Sequence, residues 1–289
     1  MPWPIDREYM QLAMVAGVVV GACAPLIGVF LVQKRLSLMG DGIGHLAFAG
    51  VAAGLAMDVA PVWVALAIAV VGAASVERLR ARGRASGDLA LALFFYGGIA
   101  GGVVLTGLAG SLNANIFSYL FGSILTVRPS DVWLVAGLGG LIVATLAITG
   151  RALFAVVVDE EAARVSGIPV DLLNTVLAVL TAVVIVAAMR VVGILLVAAL
   201  MVLPVGASQQ LTRSFRGTLG LAVAFGVAAV IIGLTAARAW GLAAGGAVVL
   251  VAAGAFVLAS VVGAVRRRGV APPEAPLPTG LPGPERMGA

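Results

Sequence analysis

Residues 10–32 read MQLAMVAGVVVGACAPLIGVFLV, a run without one charged side chain. A helix rises about 1.5 Å per residue, so a run of this length reaches across the roughly 30 Å hydrocarbon core of a bilayer. Only a helix satisfies its own backbone there. Working outward, the same reading recurs at 37–57, 61–76, 89–108, 132–149, 172–189, 191–208, 218–237 and 242–265. The chain is therefore predicted to be an all-α integral membrane protein, a polytopic helical bundle of nine transmembrane helices, or eight if one early helix is incomplete. Ala22, Cys23 and Ala24 resemble a cleavage site after an apolar run, but Asp6, Arg7 and Glu8 precede that run in place of a positive n-region, so it reads as a span.

Composition agrees. Of 289 residues 62% are apolar and 11% charged, where globular domains carry about a quarter charged residues. So few polar side chains could not cover a water-soluble fold, which excludes the soluble enzyme classes. The net charge of +5 lies between apolar runs, not on one face, and gives no reason to expect nucleic acid. Cys23 is the sole cysteine, so no intrachain disulfide can form. The sole lysine, Lys34, is followed by Arg35, whereas a phosphate-binding P-loop needs Lys followed by Ser or Thr. This chain is not an ATPase of that kind.

Orientation follows from the basic residues, because cytoplasmic loops are enriched in them. With the N-terminus outside, the inner segments hold fourteen: Lys34, Arg35, Arg78, Arg80, Arg82, Arg84, Arg151, Arg164, Arg213, Arg216, Arg266, Arg267, Arg268 and Arg286. Only Arg7, Arg128, Arg190 and Arg238 remain outside. The segment Asn113 to Val127, NANIFSYLFGSILTV, would reverse this balance if it crossed, so it is expected to dip without crossing. Residues 1–265 are read as the membrane domain, with a cytoplasmic loop at 151–171, and 266–289, rich in proline after three arginines, as a disordered cytoplasmic tail. Small residues at four-residue spacing, Gly17 with Gly21, Gly50 with Gly54 and Gly97 with Gly101, are expected to let helices approach closely.

The second run, SLMGDGIGHLAFAGVAAGLAM from Ser37, carries the chemistry. Asp41 and His45 sit four residues apart, which on a helix puts both on one face about 5 to 6 Å apart at the β-carbons. They would lie roughly 6 and 12 Å into the apolar layer. A charge at mid-depth costs about 2.5 to 3.5 kcal/mol on insertion scales, so such residues usually serve an ion or proton path. Carboxylate oxygen and imidazole nitrogen both ligate zinc, manganese and ferrous iron. The bland alternative is a mutual hydrogen bond that pins one helix contact; membrane depth and the absence of any other histidine weigh toward a metal path. Two ligands are half a tetrahedral site, and the missing half must come from water, from a backbone carbonyl or, the favoured source, from the same pair on a second copy across a twofold axis. Gly40, Gly42 and Gly44 flank the pair and serve packing or flexibility equally well. Met39 carries little weight as a ligand.

The loop RALFAVVVDEEAARVSGIPVDL from Arg151 is the other informative stretch. Asp159, Glu160 and Glu161 are suited to open a short helix, and Gly167 with Pro169 to end it. Such a helix reads either as a docking peg for a cytoplasmic partner or as an ordinary solvated loop. Pro204 is expected to bend its helix, with Gln209 and Gln210 at the cytoplasmic end.

Taken together, RLSLMGDGIGH with the following GVAAG from Arg35, SYLFGSILTV from Ser118, DEEAARVSGIPV from Asp159 and VVGILLVAALMVLPVGASQQL from Val191 resemble the permease subunits of bacterial zinc and manganese ABC importers, the ABC-3 family. The resemblance covers nearly the whole chain to Val265. It implies a multi-pass protein of the bacterial plasma membrane and a homodimer of permease chains. It implies separate cytoplasmic ABC ATPase subunits and an extracytoplasmic metal-binding protein as partners. By the resemblance Asp41 and His45 match the family's intramembrane metal site, and Asp159, Glu160, Glu161, Ala163, Arg164, Gly167 and Pro169 belong to the helix that touches the ATPase. The expected cargo is a divalent transition metal, zinc first and manganese or iron second, with no tightly bound cofactor. One departure is that Gly44 stands where family members commonly have serine before the histidine. A gradient-driven metal carrier is the rival reading, and an intramembrane metalloprotease a weaker one, since a single histidine cannot make an HExxH site.

Overall fold

A computed structural model describes residues 7–82, 87–108 and 114–268. Among the described residues there are helices and no strands: α1 (Glu8–Gln33), α2 (Met39–Ala56), α3 (Pro61–Ala81), α4 (Gly87–Leu108), α5 (Ala114–Phe121), α6 (Pro129–Val158), α7 (Glu160–Val165), α8 (Val170–Ala188), α9 (Ile194–Leu211), α10 (Phe215–Trp240) and α11 (Ala244–Arg268). Each of the nine apolar runs is a helix. The proline-rich tail expected beyond the last span lies outside the described residues from 269 onward.

Local chemistry sets the boundaries. Pro129 opens α6, where a missing N–H is harmless, and the Arg128 backbone N–H donates to the Asp131 carboxylate at 3.0 Å. The Ser214 hydroxyl caps α10 by accepting from the Gly217 N–H at 3.1 Å, and α10 ends at Gly241 with φ +64°. Both Pro25 in α1 and Pro204 in α9 sit inside helices that continue past them.

Eight of the helices are long and apolar enough to cross a membrane: α1, α3, α4, α6, α8, α9, α10 and α11. Of the nine expected spans the one outside that set is α2, whose apolar character is diluted by Asp41, His45 and its glycines. It nevertheless lies within the bundle, against α3, α4, α8 and α9. The register shows it running parallel to α4: Gly42 meets Leu91, His45 meets Gly98 and Phe48 meets Gly102. With eight residues, α5 rises only about 12 Å, too short to cross, and it packs against α9 and α2.

Bundle packing centres on α1 and α8, the most buried of these helices. A methyl group on Gly28 would sit 1.9 Å from the Met201 carbonyl oxygen, so α1 and α9 touch backbone to backbone. Gly21 and Gly226 join α1 to α10 in the same way, and Gly50 and Gly54 meet Ala65 and Pro61 of α3. These contacts bear out two of the expected small-residue pairs. The third is off by one position: Gly97 has no neighbour within 4 Å of an added β-carbon and Gly101 only Ala49 at 3.9 Å, while Gly98 and Gly102 face α2. A four-residue spacing states a face but not which of two adjacent faces is used.

Candidate metal site and coupling helix

Asp41 and His45 project from α2 into one cleft of about 440 Å³, which they line with Leu38 and with Leu91, Phe95 and Tyr96 of α4. The opposite side of α2 is pressed into the bundle, where Gly40 meets Ala198 and Gly44 meets Ile194 of α9. An added β-carbon would stand 3.1 Å from the Ala198 methyl at Gly40 and 3.4 Å from the Ile194 carbonyl at Gly44, so Gly40 is the tighter of the two contacts. Phe95 fixes the imidazole by an edge-on contact with centroids 4.4 Å apart.

The His45 Nδ1 atom is buried and has no hydrogen-bond partner. Nor does the structure show a hydrogen bond or ion pair for Asp41 among the described residues. The mutual hydrogen bond that would have made the pair a mere helix pin is therefore not formed. An unsatisfied buried polar atom costs about 1 to 3 kcal/mol, and orphaned ones are rare enough that each needs a reason. Among the described residues no cluster of three or more His, Cys, Asp or Glu side chains is placed to hold a metal. Of these residue types the cleft thus presents two, Asp41 and His45. Leu38 and Tyr96 at the cleft's rim are 66% and 69% exposed, so the cleft opens on the outer surface of the chain.

The loop expected from Arg151 begins only at Asp159, because the apolar stretch ALFAVVV continues α6 to Val158; from Asp159 the chain folds as its sequence requires. Asp159 caps α7 by accepting from the Ala162 N–H at 2.9 Å. Gly167, at φ +80°, turns the chain after Ser166, with its N–H bonded to Arg164 O and that of Ile168 to Ala163 O. Ala163 is buried and anchors the helix, Val165 is 90% exposed, and Pro169 stands before the first residue of α8. Arg164 is bound to Asp171 at 2.9 Å, and that hydrogen bond, then the charge beside it, holds the guanidinium above its ordinary range.

A connection that spacing did not reveal links this helix to α2. Lys34, buried at the end of α1, donates to Asn174 of α8 and forms an ion pair at 3.0 Å with Glu160 of α7. Immediately after it Arg35 turns the chain with φ +59°, and α2 begins at Met39. Glu77 and Arg80 of α3, paired at 2.8 Å, line the same charged hollow as Glu160, Arg164, Asp171 and Asn174. The sequence signal, available but unused, was the solitary lysine at a span's end.

At the other end of the bundle, Arg190 lies over the Tyr119 ring, 4.8 Å from its centroid, and 3.7 Å from the Asp131 carboxylate. Ser123 donates to the Arg190 carbonyl, and Arg238 donates to Tyr9. These contacts tie α5 and the loop after it to α8 and α6, and α10 to α1. Ends that share a face agree with the crossing order expected from the arginines.

The match to the ABC 3 transport family runs over residues 6–263, nearly the whole chain. The chain belongs to that family. Within it, a relative from Treponema pallidum described as a probable metal transport system membrane protein is 34% identical over 231 residues, covering 80% of this chain and 86% of its own. The manganese transport system membrane protein MntC of Halalkalibacterium halodurans is 32% identical over 231 residues, 80% and 79% of the two chains. The zinc uptake membrane protein ZnuB of Haemophilus influenzae is 29% identical over 228 residues, 78% and 87%. A solved structure, PsaBC from Streptococcus pneumoniae in complex with Fab, superposes with a TM-score of 0.79 at 29% identity over 88% of this chain and 91% of that one. This ABC 3 family member is accordingly a multi-pass permease subunit of the bacterial plasma membrane.

Proposed function

We propose that this permease imports a divalent transition metal ion, with Asp41 and His45 as its transient ligands. The observation that carries the reading is that Asp41 and His45 line one open cleft while neither has a hydrogen-bond partner among the described residues, the imidazole Nδ1 being buried and unpaired. Two protomers meeting over their clefts would bring two carboxylates and two imidazoles around one path, which completes a four-donor set. The bare backbone at Gly97, exposed beside the cleft, supports close approach of a second copy on this side. A closed tetrahedral zinc site holds its ion too long to conduct, so the set is open or distorted, and ions leave as readily as they enter.

ATP hydrolysis then falls to separate subunits, and an extracytoplasmic metal-binding protein delivers the ion. In this reading α7 docks on the ATPase: Asp159, Glu160, Glu161, Ala163, Arg164, Gly167 and Pro169 form and position it, and the pair of Glu160 with Lys34 carries its displacement to the start of α2. Both roles rest on membership of the ABC 3 family and on the exposure of α7.

Zinc is the cargo we assign, since imidazole and carboxylate sites bind it more tightly than manganese in the Irving–Williams order. Manganese is the second reading, favoured by the name of the relative from Halalkalibacterium halodurans. Uptake into vesicles by the reconstituted transporter, with zinc, manganese and iron in competition, decides between them. Zinc uptake suppressed only by excess zinc is the expected result; transport of manganese alone would overturn the zinc assignment. Uptake continuing with no ATPase subunit present would sink the ABC mechanism itself.

A further inference from the structure

On helices other than α2 and α4, a groove of about 560 Å³ runs between α6 and α10. Its floor is α1, through Leu26 and Phe30, and its sides carry Leu146 and Leu219. Toward the inner end three rings make a shelf: Phe215 meets Phe30 at 5.5 Å and Phe154 at 4.6 Å between centroids. Arg151 and Arg216 stand at that same end. Both are exposed, no acidic residue lines the groove, and neither arginine forms an ion pair among the described residues.

Depth makes this pairing informative. Arg151 follows Pro129 by 22 residues along α6, a rise of about 33 Å, so it reaches the far edge of the hydrocarbon layer. Arg216 belongs to the first turn of α10, at the same edge. An apolar trough inside the bilayer thus ends in two unneutralised guanidiniums at the level of the headgroups. Basic pockets between spans on the cytoplasmic side suit anionic lipid headgroups, and guanidinium binds phosphate through paired N–H donors.

We propose that this groove is a binding site for an anionic phospholipid of the inner leaflet, its phosphate held between Arg151 and Arg216 and one acyl chain laid along Leu26, Leu146 and Leu219. Charge complementarity selects the headgroup, and the apolar floor selects a lipid over a soluble anion. A protein partner would have to enter the hydrocarbon layer to fill the trough, which disfavours it.

The test is native mass spectrometry of the full chain titrated in turn with phosphatidylglycerol, with phosphatidylcholine and with inorganic phosphate. The expected result is retention of phosphatidylglycerol about tenfold above phosphatidylcholine. Arg151→Gln with Arg216→Gln should abolish that preference. Gly150→Phe is the independent arm: an added β-carbon there meets nothing within 4 Å, so the fold tolerates it, while the ring fills the groove and leaves both charges in place. It should reduce retention to the same level. Arg78→Gln with Arg82→Gln, which removes two exposed charges elsewhere, should leave retention intact. The proposal is overturned if both groove variants keep the preference, if the Arg78 and Arg82 pair loses it equally, or if inorganic phosphate displaces the lipid.

Discussion

Lys34 and Asp41 lie seven residues apart on either side of one turn, and the protein treats their charges in opposite ways. The Lys34 side chain is only 7% exposed, and its ammonium group is met by Glu160 and Asn174 from two other helices. Asp41 is left facing a cleft, with His45 beside it and the imidazole Nδ1 unpaired. A charge with partners is a structural joint. A charge without them is, under the proposed function, a liability kept for the cargo. The pair teaches that two ionisable side chains a turn apart can differ in whether packing supplies them with partners, and that difference is what the proposed function rests on.

The sharpest way to break this contrast is to remove the unpartnered side. Asp41→Ala should lower metal uptake by the reconstituted transporter on the order of 100-fold, the upper range for loss of a metal-site group, while the variant still inserts in the membrane. Its thermal stability should hold or rise by about 1 kcal/mol, because a carboxylate at lipid depth is relieved. Normal uptake by this variant would end the assignment of Asp41 as a ligand.

Removing the partnered side should do the reverse. Lys34→Ala leaves the buried Asn174 carbonyl without its donor and frees the half-exposed Glu160, and uptake should fall about tenfold while ATP hydrolysis by the assembled complex continues, with a loss of unfolding free energy of about 1 to 3 kcal/mol. Lys34→Arg should restore part of both. Equal loss of uptake and hydrolysis would mean that Lys34 supports assembly, not transmission.

Smaller changes refine the joint. Asn174→Leu leaves Lys34 with one partner, and a loss of about 1 to 2 kcal/mol in thermal unfolding is expected, with uptake little changed. Asp159→Ala removes the cap of α7 at a cost of about 1 kcal/mol; faster amide exchange confined to residues 160–167 is the readout. Exchange that spreads into α8 would show that α7 is no separate unit.

How much of this was legible beforehand differs by element. Apolar run length was enough for nine helices, because the bilayer leaves a backbone no other choice. Asp41 and His45 stood out as ionisable groups in a run where neither belongs. Asp159 and Gly167 announced the ends of α7 through local backbone chemistry. By contrast, the partners of Lys34 come from positions 126 and 140 residues away, and no local pattern carries that pairing. The misassigned Gly97 and Gly101 contact has the same origin, since every face of α4 is rich in small residues and only its neighbours distinguish them.

The sequence by itself determined that the chain lives in a membrane, where its helices lie to within a few turns, and which two side chains are out of place at depth. These follow from the water-to-lipid transfer of each residue and from hydrogen bonds a few residues long. Which donors went unsatisfied, which charge bridges α1, α7 and α8, and that a trough between α6 and α10 ends in two arginines were decided only by tertiary packing. Helices in lipid are brought together by shape and close backbone approach, and those depend on the whole set of partners at once.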